Sequence, residues 1–166
     1  MKVLVAYSSA TGNTRKVAEA IHLALPDADL CPVGHAPNPA GYDLVFLGCW
    51  IDKGLADEAA RAYMSKLHGK PVALFATLGA YPDSKYAADC MDAVSELLSA
   101  CTVVDRFVCQ GAIDPKLVEW MKGLPKDHGY GPTTSRKKLW RDAESHPDDA
   151  DLEAAADWAE GVLAAL

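Results

Sequence analysis

Apolar residues along this chain occur in short unbroken runs, separated by longer stretches in which they recur at helical spacing. The unbroken runs at 2–7, 42–49 and 71–76 indicate strands that are buried on both faces. A run with a polar start and a late proline, 28–33, predicts a short strand near a sheet edge, and 102–110 predicts a fifth strand. The predicted helices are 14–25, 57–67, 83–100, 114–122, 135–143 and a last helix that opens at 146–149.

Strands that alternate with helices predict βαβ units and therefore a parallel sheet. We expect a three-layer α/β fold with five parallel strands in the order 2-1-3-4-5 and helices on both faces. The 166 residues suit one domain, 1–166, with a sizeable core. Residues 123–145 break the pattern and predict an excursion loop followed by an extra helix.

Composition and charge narrow the class of protein. The net charge is −7 and the pI is about 5.1, which argues against nucleic acid and anionic membranes as partners. The apolar runs are too short to span a bilayer, and no signal peptide is predicted ahead of the first strand. Five cysteines without a CxxC pair indicate reduced thiols and a cytoplasmic protein. The five histidines show no metal-ligand spacing, so no metal site is predicted.

The stretch Ser9-Ala10-Thr11-Gly12-Asn13-Thr14 lies between the first strand and the first helix. A helix start offers unpaired N–H groups and the positive end of a dipole, hydroxyls add donors, and Gly12 allows close approach of the backbone. The stretch lacks the lysine of a Walker A loop and the glycine spacing of a dinucleotide fingerprint. It therefore predicts a site for a terminal phosphate monoester bound mostly by neutral donors.

Ligands of open parallel sheets bind beyond the carboxyl ends of the strands, where the strand order reverses. In the predicted order this rule selects three loops, at 8–14, 50–56 and 77–82. We expect these loops to form one binding site.

The residues of these loops resemble a known family. Ser9–Thr14 is similar to the S/T-x-T-G-x-T phosphate loop of flavodoxins, while Gly48–Gly54 and Thr77–Tyr86 lie where that family has its second and third flavin loops. The resemblance extends over most of the chain, which looks like a divergent short-chain flavodoxin-like domain. It implies a flavodoxin-like fold and FMN as the cofactor.

The resemblance implies three groups of cofactor-binding residues and no catalytic residue. Trp50 is the best candidate for stacking on the flavin ring, and Tyr81 is preferred to Tyr86 for its other face, although Trp50 packing in the core and Tyr81 packing at the rim stay open. The cofactor-binding residues are Ser9, Ala10, Thr11, Gly12, Asn13 and Thr14; Cys49, Trp50, Ile51, Asp52, Lys53 and Gly54; and Thr77, Leu78, Gly79, Ala80, Tyr81 and Ser84.

These features favour an electron-transport role over stand-alone catalysis. The first hypothesis is an FMN-binding electron carrier, or accessory subunit of an oxidoreductase, that takes electrons from a reductase and passes them to an acceptor enzyme. The alternative is a flavin-dependent oxidoreductase, a quinone or protoporphyrinogen-type dehydrogenase, with 123–134 as a substrate lid. A third hypothesis is a binding module without redox function. The basic cluster within 136–141 indicates a solvated helix, an intramolecular acidic contact or a docking site for a partner protein.

Overall fold

A computed structural model describes all 166 residues and contains six strands. Five are parallel in the order β2-β1-β3-β5-β6, which confirms the predicted order of the main strands. The sixth, β4, is a two-residue strand antiparallel to β3, so the expectation of only five strands was wrong. The strands are β1 Val3–Tyr7, β2 Asp29–Pro32, β3 Leu44–Asp52, β4 Leu55–Ala56, β5 Pro71–Leu78 and β6 Thr102–Gln110.

Six α-helices accompany the sheet: α1 Asn13–Ala24, α2 Glu58–Met64, α3 Lys85–Glu96, α4 Pro115–Lys122, α5 Thr134–Ala143 and α6 Asp149–Ala164. None of them is both long and apolar enough to cross a membrane. Helices α2 and α3 end earlier than predicted. Leu67 and Leu98 are buried as their spacing indicated, but i→i+3 turns rather than α-helix carry the chain to them.

Alternate side chains of each central strand face opposite layers, because successive residues of a strand point to opposite sides of a sheet. One side packs against α2 and α3 and contains Val45, Leu47 and Cys49 of β3. The other side packs against α1 and α6 and contains Leu44 and Phe46. Both faces of the sheet are therefore covered, which explains why the apolar runs in the sequence do not alternate.

The expected loop at 50–56 is a β-hairpin. β3 continues to Asp52, and Ile51 pairs with Ala56 across a turn formed by Lys53 and Gly54. Both turn residues have positive φ, 50° for Lys53 and 85° for Gly54, as in a type I′ turn. The prediction failed because Lys-Gly lacks the Asn or Asp that usually marks such a turn.

The loop expected at 77–82 begins two residues later in the structure, because β5 continues to Leu78. Thr77 and Leu78 belong to β5, where they pair with Cys109 and Gln110 of β6. The length of β6 supplies backbone partners for two residues that local sequence alone assigns to a loop. Consequently the third segment leaves the sheet at Gly79.

Gly48 lies inside β3, where a side chain would not fit. A Cβ atom at this position would come within 2.3 Å of two ring carbons of Phe75. Its carbonyl also accepts the N–H of Ser8 at 2.9 Å, which extends the pairing of β1 and β3 toward the loop that follows β1. The glycine thus allows Phe75 to pack against the strand immediately before the hairpin.

We expect Gly48→Ala to lower the free energy of unfolding by about 1–3 kcal/mol, because the new methyl group overpacks the core against Phe75. Urea unfolding followed by circular dichroism measures the change. The control is Gly161→Ala in α6, where a Cβ meets nothing within 4 Å and should stabilise the helix by about 0.5–1 kcal/mol. Equal stability of the two variants would contradict the packing argument.

Candidate functional site

The start of α1 differs from the start of every other α-helix. Gly12 precedes α1 with φ of 99° and has no side chain that could cap the helix. Each of the other five helices begins with a side chain that accepts a backbone N–H of its first turn. These capping residues are Asp57, Ser84, Asp114, Thr133 and Asp148. The N–H groups of Asn13 and Thr14, the first two residues of α1, therefore remain available for another acceptor.

The loop before α1 and the first turn of α1 contain further N–H groups, two of which are already paired. The Oγ of Ser9 accepts the N–H groups of Gly12 and Arg15, at 3.2 and 3.3 Å. The N–H groups of four further residues donate to no acceptor in the protein; these residues are Ala10, Thr11, Asn13 and Thr14. Unpaired N–H groups at a helix N-terminus form a site for an anion, so the geometry fits a phosphate group.

Two hydrogen bonds join this loop to the strands on the far side of β3. The hydroxyl of Thr14, 1% exposed, lies 2.8 Å from the hydroxyl of Thr77 at the end of β5. The Nδ2 of Asn13 donates to the carbonyl of Ala112 at 2.8 Å, just beyond β6. Gly111 accommodates this contact, because a Cβ there would come within 2.7 Å of the Asn13 amide nitrogen. The first predicted loop, 8–14, therefore contacts the third, 77–82.

A buried carboxylate joins the loop to the hairpin. Asp57, 3% exposed, accepts the Ser8 hydroxyl at 2.6 Å and the N–H of Ala60 at 3.1 Å on Oδ1. Its Oδ2 accepts the N–H of Trp50 at 3.3 Å, and its own N–H donates to the Trp50 carbonyl at 3.0 Å. One side chain thus connects the end of β1, the end of β3 and the start of α2.

The second predicted group divides between core and surface. Cys49 is completely buried beneath α2 and α3, so its side chain has no access to a ligand at the surface. Burial, with a smaller effect of Asp57, raises the pKa of the Cys49 thiol far above its ordinary value, so the thiol stays protonated. Trp50 and Ile51 are half-buried, while Asp52 and Lys53 are exposed at the hairpin tip.

The third predicted group includes a tyrosine that binds a neighbouring helix. The hydroxyl of Tyr81 donates to Asp142 of α5 at 2.7 Å, and this hydrogen bond raises the pKa of Tyr81. Ser84 caps α3 by accepting the N–H of Ala87 at 3.1 Å, and its hydroxyl donates to the Tyr81 carbonyl. The carbonyl of Gly79 accepts the Nε2 of Gln110 at 3.0 Å.

The structure adds two features that the sequence reasoning did not assign. Asp57 is not among the predicted cofactor-binding residues, yet its carboxylate connects the first two predicted loops. The segment 110–113 begins at the last residue of β6 and contacts Asn13 and Gly79. The rule that selects the carboxyl ends of parallel strands also applies to β6 and would have found this segment.

A cavity of about 400 Å³ lies beside the loop 8–14, which contains the unpaired N–H groups. Its lining includes Ser9, Ala10 and Gly12 of the first predicted group, together with Arg15 and the segment 32–34 after β2. The second and third groups do not line it. The cavity therefore places open space next to the anion donors, while the hairpin and the Tyr81 segment lie outside it.

His146, Asp148 and Asp151 form a cluster whose ligand-type atoms lie within 4.8 Å of one another. Asp148 and Asp151 each accept the other's backbone N–H, and His146 Nδ1 lies 2.5 Å from Asp151. These contacts form the start of α6. The expected absence of a metal site stays a prediction.

Comparison with known proteins gives the family of this chain. A family model described as a flavodoxin domain matches residues 4–160. The chain belongs to the flavodoxin family. Its fold resembles that of flavodoxin 2 from Bacillus cereus, with a TM-score of 0.63, 18% identity and complete coverage of both chains. A flavoprotein in complex with FMN from Lactobacillus acidophilus has a TM-score of 0.56 and 16% identity over 72% of this chain and 97% of that chain.

Two relatives are more similar to this chain in sequence than these solved structures are. Both are named flavodoxin-like domain-containing protein BilS, one from Clostridioides difficile and one from Clostridium symbiosum. The first is 30% identical over 173 residues, covering 98% of this chain and 97% of the relative. The second is 30% identical over 179 residues, covering 93% and 92%. The family and the fold together support a flavin-binding redox protein.

We expect Asp57→Ala to lower the free energy of unfolding by about 2–4 kcal/mol, because it removes a helix cap and leaves the buried Ser8 hydroxyl and Trp50 N–H without an acceptor. Asp57→Asn keeps one carbonyl oxygen for Ser8 and Ala60, but its amide nitrogen cannot accept the Trp50 N–H, so it should cost about 1–2 kcal/mol. Urea unfolding of both variants measures the difference. Equal losses would show that the oxygen on Ser8 and Ala60 is not the stabilising group.

Proposed function

We propose that this flavodoxin-family chain is an FMN-binding electron carrier that acts as one domain in the cytoplasm, between a reductase and an acceptor enzyme. The observation that carries the proposal is the start of α1. Its unpaired N–H groups lie at the point where the strand order reverses, and buried hydrogen bonds join them to the hairpin and to β5. A ligand with a phosphate tail and an extended body suits this arrangement.

The phosphate of FMN would be held by neutral groups. The backbone N–H groups of Ala10, Thr11, Asn13 and Thr14 and the hydroxyl of Thr11 provide donors. The guanidinium of Arg15 is engaged with Glu19 at 2.7 Å, so the nearest cation is already paired. Backbone N–H groups at a helix start stabilise an anion through the helix dipole and need no lysine.

The flavin ring would be held by the second and third segments. Trp50, at the end of β3, and Tyr81, in the segment after β5, supply aromatic side chains for stacking. Bound FMN supplies the redox chemistry, since flavins accept and release electrons. The hydrogen bonds of Asp57 and of Asp142 would fix the positions of the hairpin and of Tyr81, so that the ring would meet a preformed site.

Two observations favour a carrier over the dehydrogenase alternative. The Cys49 thiol beside the hairpin is buried and protonated, so it offers no nucleophile. The proposed lid, 123–134, is folded on itself, and Arg136 donates to the carbonyls of His128 and Gly131 within it. Action on a small substrate stays a prediction that turnover would test.

Thr11→Val should weaken FMN binding about tenfold or more, because it removes a hydroxyl donor to a charged phosphate, worth about 1.5 kcal/mol. Riboflavin lacks the phosphate, so its affinity should not change. Fluorescence titration with both ligands measures the two affinities. The control is Thr134→Val at the exposed start of α5, which should change neither. A Thr11 variant that loses both ligands equally would contradict a phosphate role for this loop.

The FMN-reconstituted chain, once reduced with dithionite, should transfer electrons to cytochrome c one at a time. The same protein should show no catalytic turnover of menadione with NADH or NADPH, because a carrier needs a separate reductase. Stopped-flow absorbance of the flavin and the haem measures the first reaction, and steady-state assays measure the second. A preparation without FMN affinity would refute the proposal, and steady turnover of menadione would favour the dehydrogenase alternative.

A further inference from the structure

Charge is distributed unevenly along this acidic chain. Seven of the sixteen lysines and arginines lie within residues 114–141, but only three of the twenty-three aspartates and glutamates do. This segment therefore carries a formal charge of +4, whereas the rest of the chain carries −11. The segment contains α4 and α5, so the positive charge is concentrated on two adjacent elements of the chain.

The positive side chains of α4 and α5 surround a groove of about 170 Å³. Lys137, Trp140, Arg141 and Glu144 line it at i, i+3, i+4 and i+7, so they share one face of α5 and its C-terminal turn. Val118 and Lys122 line it at i and i+4 of α4. Half-buried Val118 supplies apolar surface beside the almost completely buried Trp140, and the charge comes from three cations and one carboxylate, that of Glu144.

Two of these cations have no acidic partner in the chain. Lys137 and Arg141 form no salt bridge, whereas Lys138 pairs with Asp142 and Lys122 pairs with Glu119 at 2.8 Å. Arg136 instead donates to backbone carbonyls of the preceding loop. The basic cluster is thus divided: Arg136 and Lys138 serve internal contacts, and Lys137 and Arg141 face outward beside the groove.

The helix α5 also contacts the candidate flavin site. Asp142 follows Arg141 directly and accepts the hydroxyl of Tyr81, a residue of the third flavin segment. The groove and the Tyr81 contact therefore lie on different sides of the same helix. Helix α4, which carries Val118 and Lys122 of the groove, also exposes Leu117 and Trp120, to 46% and 55%.

We propose that this groove docks an acidic segment of the redox partner, with an apolar side chain of that segment over Val118 and Trp140 and its carboxylates on Lys122, Lys137 and Arg141. The redox identity of the partner rests on the proposed function; the acidic and apolar character of the segment rests on the groove itself. Complementary charge guides association and fixes orientation, which suits a transient electron-transfer complex.

The test uses the full chain and a fluorescein-labelled synthetic peptide in which one leucine is flanked on both sides by glutamates. Fluorescence anisotropy should show binding that weakens as salt is raised. The double variant Lys137→Glu with Arg141→Glu should weaken binding about tenfold or more. The control, Arg61→Glu with Lys66→Glu, changes the net charge equally at two exposed residues, one in α2 and one just after it, and should leave binding unchanged.

Four results would overturn the proposal. They are absence of peptide binding by the unmodified chain, equal loss in the control variant, unchanged binding when the leucine of the peptide is replaced by serine, and tighter binding of an oligothymidine through the same two residues. Circular dichroism confirms that both double variants fold. FMN content is measured on the same samples, so a chain that binds peptide but not FMN would refute only the proposed function, and the converse only the docking site.

Discussion

The buried carboxylate of Asp57 is the constraint on which the arrangement of the site depends. Its two oxygens accept three hydrogen bonds, from the end of β1, the end of β3 and the first turn of α2. A carboxylate that is nearly inaccessible to solvent needs such partners, because burial without them is costly. These hydrogen bonds stabilise the buried carboxylate, and they also hold the loop 8–14 against the hairpin.

The helices differ in which groups accept their first backbone N–H groups, and α1 is the exception. Five helices satisfy their first N–H groups with their own capping side chains, which closes those ends to ligands. At α1 a glycine replaces the cap, and Asn13 and Thr14 turn their side chains toward Ala112 and Thr77. These side chains stabilise the fold, while the backbone N–H groups of the two residues have no acceptor in the protein. The proposed phosphate binding would therefore use donors that folding leaves unpaired.

The helix α5 contacts the candidate site and also carries part of the basic surface. Its Asp142 binds Tyr81 on one side, and its Lys137 and Arg141 line the α4–α5 groove on another. The remainder of the chain is strongly acidic, so this surface has the opposite sign to its surroundings. Under the proposed function, this surface would give the redox partner a preferred orientation on the carrier.

The sequence by itself determined the sheet order of the main strands, the six helices and the flavodoxin family. Unbroken apolar runs, helical spacing and the Ser9–Thr14 loop are local signals, and each acts within one element. Tertiary structure decided how far β3 and β5 extend, because strand length depends on partners elsewhere in the chain, at Leu55–Ala56 and at Cys109–Gln110. It also decided the roles of Asp57, Ala112 and Asp142, since their partners lie far away in sequence and no periodicity records a contact between distant elements.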